Sequence, residues 1–194
     1  MTATLLRPLS SIHVSQHQIA RQGLIPNTSI QHKPLLIYRG AFNPTTLTPD
    51  AIEEHITSVG VFAPQWRYTM YRQTHFHSTT HELLVVFRGK AKLCFGADVT
   101  SSQSNEDESV VAEVKKGDAI LVPAGVGHRL LEEMDSDEGE GFEMIGSYPE
   151  GSEKWDMCYG KKGKQEEGVD QRIEKLGWVE RDPLYGEEGP AGRV

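Results

Sequence analysis

Cysteine is scarce in this chain. Cys94 and Cys158 are the only two in 194 residues, too few for a disulfide framework, which points away from small secreted scaffolds and towards a reducing compartment. Long apolar runs are missing too. Nothing approaches the roughly 18 residues of a membrane-spanning helix, and Met1 to Arg7 lacks the apolar region of a secretion signal. Positive charge is in deficit, with 20 Lys and Arg against 28 Asp and Glu for a net charge of −8. Non-specific binding to nucleic acid or to an anionic membrane is therefore disfavoured. No internal repeat recurs at a period of about 20–50 residues, which argues against a tandem arrangement. The apolar fraction, 37%, is low enough to imply sizeable polar loops. The expectation is a soluble, cytoplasmic protein with one domain over residues 1–194.

What the chain does contain is a concentration of chemistry between His75 and His128. One block reads His75-Phe76-His77-Ser78-Thr79-Thr80-His81-Glu82, followed by six mostly apolar residues and Gly89. A second has Gly117, then Pro123-Ala124-Gly125, then His128. In an extended segment side chains alternate between faces, so His75 and His77 point the same way. Ser78-Thr79-Thr80 allows a turn, after which Glu82 opens an apolar strand to Phe87. Gly117 and Pro123-Ala124-Gly125 read as turns around a short strand, Asp118 to Val122, that returns His128 to the others. His75, His77, Glu82 and His128 are thus the candidate metal ligands. Three imidazoles and a carboxylate suit Fe, Mn, Zn, Ni, Co or Cu better than Mg or Ca.

Elsewhere the signals are structural. Leu35-Leu36-Ile37 reads as a buried strand or arm. Thr48 is an N-cap, with Pro49 at the first helical position, for a helix over about Pro49 to Ser58 that stops at Gly60. Within the strand after Glu82, parity puts Leu84 and Val86 on the ligand face, and Leu83, Val85 and Phe87 on the other. Asp98 to Ser109 is a hydrophilic loop, a solvated insertion or a lid. Glu132 to Glu140 is a second acidic turn. Trp155, Met157 and Tyr159 alternate and are placed to cover one side of the site. Val169 to Leu176 reads as a short helix stopped by Gly177.

These two blocks resemble the signature motifs of the cupin superfamily, the first at His75, His77, Glu82 and Gly89, the second at Gly117, Pro123, Gly125 and His128. Ile25-Pro26-Asn27, Leu35-Leu36-Ile37-Tyr38, Tyr148-Pro149-Glu150-Gly151 and Trp155-Asp156 extend the similarity, over nearly the whole chain, to the small YjlB-like cupins. The resemblance implies an all-β fold, a single jelly-roll β-barrel. Its core would span about 65–148, with an N-terminal arm and short helix over 1–64 and a C-terminal extension over 149–194. It implies one divalent transition metal ion per chain, Fe or Mn favoured, and a homodimer; the Leu83, Val85 and Phe87 face, free to pack against other elements, is compatible with that. An enzyme is expected, an oxidoreductase or lyase of dioxygenase or decarboxylase type acting on a small carbonyl, carboxylate or aromatic compound. An isomerase or epimerase, or a non-catalytic metal- and ligand-binding protein, are the alternatives. Strand parity makes Tyr71 and Gln73 candidate catalytic residues, and His81, beside Glu82, a third.

Overall fold

The computed structural model describes residues 4–96, 109–135 and 141–194. Its strands are β1 (His13–His17), β2 (Leu35–Arg39), β3 (Phe62–Tyr68), β4 (Glu82–Arg88), β5 (Lys90–Gly96), β6 (Ser109–Lys115), β7 (Ala119–Val122), β8 (His128–Met134) and β9 (Glu143–Pro149). Two helices, α1 (Pro49–Val59) and α2 (Val169–Lys175), flank them. The Asp98–Ser109 loop, apart from Ser109 itself, lies outside the described residues, as does the acidic turn beyond Asp135. Among the described residues no helix is long and apolar enough to cross a membrane.

The strands make two antiparallel sheets, one of six in the order β1-β2-β7-β4-β9-β3 and one of three in the order β6-β5-β8. This corrects the expected barrel: the sheets face each other but do not close. Closure requires a ladder continued around every edge. Here the larger sheet ends at β1 and β3 and the smaller at β6 and β8. Pro64 removes a donor from edge strand β3, and a bulge between Pro64 and Trp66 breaks its register. After Tyr68 the chain leaves the ladder altogether, and residues 69–81 form only isolated bridges, His75 with His128 and Phe76 with Cys158. The regular strand expected to carry Tyr71, Gln73 and His75 on one face is therefore absent.

Burial follows the strand parity. Leu84 and Val86 pack between the sheets with Leu93, Phe95 and Leu130. Leu83 and Val85 face outward into a second cluster, where Ile52 and Ile56 of α1 and Leu184 of the C-terminal extension cover them. The face opposite the ligands packs, as its parity implied, against other elements of the chain. Helix α1 begins where its residues dictate: the Thr48 hydroxyl accepts the Ala51 N–H, Pro49 needs no donor partner, and Gly60 ends the helix at φ 69°. Burying Ile52 and Ile56 contributes roughly 1.5–3 kcal/mol each. The apolar run Leu35 to Ile37 becomes part of β2, an interior strand between β1 and β7.

Buried polar side chains tie the long connections down. His81 accepts the Ala124 N–H at Nδ1 (3.0 Å), donates from Nε2 to the Gly177 carbonyl (3.1 Å), and meets Trp178 edge-on at 4.8 Å. Both nitrogens are used by the neutral ring. Burial lowers its pKa to about 4, against the opposing pull of the Gly177 carbonyl. His81→Ala is expected to cost about 1–3 kcal/mol near neutrality, because it leaves the Ala124 N–H unpaired. Since the folded pKa lies below the unfolded value of 6.5, only the unfolded chain takes up this proton between the two values. The wild type therefore loses stability as pH falls through that window. In urea unfolding, the gap between wild type and H81A should narrow from about pH 7 to about pH 5. An unchanged gap would show that the ring protonates equally well in the folded protein.

Candidate metal centre

Backbone hydrogen bonds bring the two sequence blocks together. His75 and His128 exchange N–H to carbonyl bonds of 3.2 and 2.8 Å, and the Gly125 N–H donates to the His77 carbonyl at 2.8 Å. Glu82 enters at the start of β4, paired with Val122 of β7. The Pro123–Gly127 turn is held from behind by Asn27. Its N–H donates to the Gly125 carbonyl at 2.9 Å, and its Oδ1 accepts the Gly127 N–H at 3.1 Å. Gly127 cannot carry a side chain, because a Cβ would stand 2.3 Å from the Gly96 carbonyl oxygen. Asn27 is buried, and its side-chain amide also donates to the Ala20 carbonyl at 2.8 Å, so both ends of the amide are engaged in holding the turn.

One ring nitrogen from each of His75, His77 and His128 lies within 4.8 Å of the others, and all three residues are buried. Each Nδ1 is committed to a backbone carbonyl: His75 to Gln73 at 3.0 Å, His128 to Val126 at 2.9 Å, and His77 to Asp156. A carbonyl only accepts, so each Nδ1 must donate, and each neutral ring then presents a bare lone pair at Nε2. Glu82 stands beside this trio, with Oε2 at 3.5 Å from His77 Nε2 and 3.4 Å from His128 Nε2. Its other oxygen, Oε1, accepts the Tyr148 hydroxyl at 2.6 Å, while Oε2 is buried with no hydrogen-bond partner.

The electrostatics divide the rings. Burial is the main cause of the low pKa of His128, about 3, and the neighbouring His75 adds to it. His75 is also shifted down, chiefly by burial. For His77 burial works against protonation, but the Glu82 charge and hydrogen bond outweigh it and raise the pKa. Burial would raise Glu82, yet His77, His128 and the Tyr148 hydroxyl together hold it down at about 2. An ionised carboxylate beside three imidazole lone pairs in a buried site is an arrangement that a cation between them would stabilise. A proton on His77 supplies that charge only in part. The donor set therefore fits a transition metal ion, and the unpartnered Oε2 is the atom left over without one.

Two contacts that support the ligands come from far along the chain. The carboxylate of Asp156 accepts from the Ser78 N–H at 2.6 Å and the Ser78 hydroxyl at 2.5 Å, while its carbonyl holds His77. The bridge between Phe76 and Cys158 brings this segment alongside. Tyr148 holds Glu82 and in turn accepts the Trp66 indole N–H at 2.9 Å. Trp66 fits there because Gly146 has no side chain: a Cβ would come within 2.0 Å of the indole. Reading β9 opposite β4 could have found Tyr148, since Leu83 pairs with Ser147 and places the next residue beside Glu82. No local signal marks Asp156. Of the weaker candidates, Tyr71 is half-exposed and edge-on to His75 at 5.5 Å. The Gln73 side chain is exposed, and its carbonyl is what reaches the site. His81 does not line the cavity that adjoins the imidazoles. That cavity has a volume of about 290 Å³, and Trp155 and Met157 close it from the C-terminal side.

Residues 40–135 match the cupin family model. The uncharacterised protein YjlB of Bacillus subtilis (strain 168) is 31% identical over 168 residues, covering 87% of this chain and 88% of that protein. Similar solved structures include vicilin from Capsicum annuum, with a TM-score of 0.36 and 10% identity over 84% of this chain and 34% of that one. They also include an oxalate decarboxylase variant from Bacillus subtilis, with a TM-score of 0.32 and 13% identity over 76% of this chain and 27% of that one. The chain spans about a third or less of the length of these structures. With the motif residues gathered as described and the similarity to YjlB running through most of both chains, the protein belongs to the cupin superfamily, beside the small YjlB-like cupins.

Proposed function

We propose that His75, His77, Glu82 and His128 hold one divalent transition metal ion, Fe or Mn before Zn, Ni, Co or Cu, and that the protein is a metal-dependent enzyme of dioxygenase type. The observation that carries this reading is the convergence of three Nε2 lone pairs and the unpartnered Glu82 Oε2 beside a cavity. When bound, such an ion supplies Lewis acidity and, for iron or manganese, one-electron chemistry towards oxygen. The chain's own groups supply the rest. The backbone carbonyls of Gln73, Asp156 and Val126 fix the imidazole tautomers. Tyr148 reserves Oε2 for the centre by engaging Oε1. The Trp155 and Met157 side chains line the cavity on its C-terminal side. A lyase of decarboxylase type needs a separate acid, and Glu82 is the sole carboxylate among the described residues lining the cavity. That favours the oxidoreductase reading over the lyase.

Elemental analysis of protein purified without chelators is the direct test, with close to one Fe or Mn per chain expected. His77→Ala combined with His128→Ala should abolish stoichiometric binding and leave a folded chain by circular dichroism. Full occupancy in that double variant would overturn the assignment. Metal retention should fall on acidification towards about pH 5, because protons compete for the imidazoles, first at His77, whose pKa is raised. Retention unchanged down to about pH 4 would rule out a three-imidazole site. Tyr148→Phe should weaken metal affinity about ten- to a hundredfold in a chelator competition, with all four ligands intact. Wild-type affinity in that variant would mean that Glu82 needs no help to face the centre.

A further inference from the structure

We propose that the cavity beside the imidazole trio takes an uncharged, single-ring aromatic compound carrying a hydroxyl or carbonyl oxygen, and that its side chains by themselves, without the ion, disfavour small carboxylates. The proposal deepens the metal-centre reading, resting on it only for where the oxygen would point.

The walls are the first argument. Trp66, Tyr148 and Trp155 supply aromatic surface, and Leu84, Met144 and Met157 supply flexible apolar surface. Trp155 lies nearly parallel to Tyr148, with ring centroids 6.3 Å apart and planes 22° apart, and stands 5.9 Å from His77. Trp66 is fixed by its hydrogen bond to Tyr148, so its ring is a rigid surface rather than a mobile one. A planar ring gains about 0.5–1.5 kcal/mol per well-placed aromatic partner beyond the area it buries.

Charge is the second argument. A carboxylate needs a cation to replace its water, and apart from the metal centre the described residues lining the cavity offer none to spare. Arg67 is the one Lys or Arg lining it, and its guanidinium is engaged by Glu53 at 2.7 and 2.8 Å and by Asp50. Lys154 sits 6.0 Å from the Trp155 ring centroid but does not line the cavity. The neutral polar residues of the lining include Thr69, Tyr71 and Tyr148.

Size is the third. An apolar cavity of about 150 Å³ is enough for benzene. A volume of about 290 Å³ therefore has room for one substituted ring.

The test follows the three indole N–H signals by NMR in the full chain, once zinc-loaded and once stripped by chelator, during titration with phenol, benzoate and oxalate. Phenol should saturate both forms and shift Trp66 and Trp155. Trp178, whose indole donates to the Ala191 carbonyl away from the cavity, should stay fixed as an internal control. In the stripped form benzoate and oxalate should bind at least tenfold more weakly than phenol. Trp155→Ala should weaken phenol at least fivefold and Trp155→Phe should restore most of it; Trp155 is only half-buried, so neither change threatens the fold. Benzoate or oxalate matching phenol in the stripped form would overturn the proposal, as would phenol that leaves Trp66 and Trp155 unmoved. Failure of the metal reading appears separately, as absence of metal in elemental analysis, and does not alter what phenol does in the stripped form.

Discussion

Three imidazole rings are gripped by their outer nitrogens, and the rest of the site depends on that grip. With each Nδ1 donating to a carbonyl of Gln73, Asp156 or Val126, the Nε2 atoms of the neutral rings carry lone pairs and no proton. Glu82 is then pinned by Tyr148 so that its free oxygen meets the same point. The result is a cluster of electron pairs assembled in a buried site, where any such cluster is costly without a positive charge to share. The cost is tolerable because the rest of the chain leaves the rings nowhere else to go.

That constraint is enforced by connections rather than by the sheets. The loop bearing His75 and His77 lies outside both ladders, and its position comes from single bridges to His128 and Cys158. The turn before His128 is set by Asn27 from the N-terminal side and by His81, which also reaches the C-terminal extension at Gly177. Segments flanking the motifs are therefore part of the centre. They complete what two unclosed sheets leave open, and the same C-terminal segment that orients His77 through Asp156 presents Trp155 to the cavity.

Much of this was legible in the residues. Thr48, Pro49 and Gly60 mark the ends of α1 within a residue of where they fall. The alternation from Leu83 to Val86 correctly separates the two apolar clusters on either side of β4. The spacing of His75, His77 and His128 anticipates that they meet. Extrapolating strand regularity failed between Tyr68 and His81, because bridge contacts to β8 and to the Cys158 segment replaced the ladder. Gln73, exposed, left the ligand side with it, whereas Tyr71 still lines the cavity beside His75. The expected barrel failed for a related reason: closure depends on how edge strands meet, and no periodicity within one strand encodes that.

Local chemistry belongs to the sequence alone. Which side chains could bind a metal, where turns must fall, and which face of a strand is apolar are set by residues within a few positions of one another. Gln73 and Val126 even hold rings only two residues away. The tertiary structure decided everything that required distant segments to choose each other: Asp156 behind His77, Tyr148 on Glu82, Trp66 in the space left by Gly146, and two sheets left open instead of one closed. Such pairings are settled by register, burial and the need to satisfy every buried polar group at once. Those are properties of the whole packed chain, and no single stretch of it contains them.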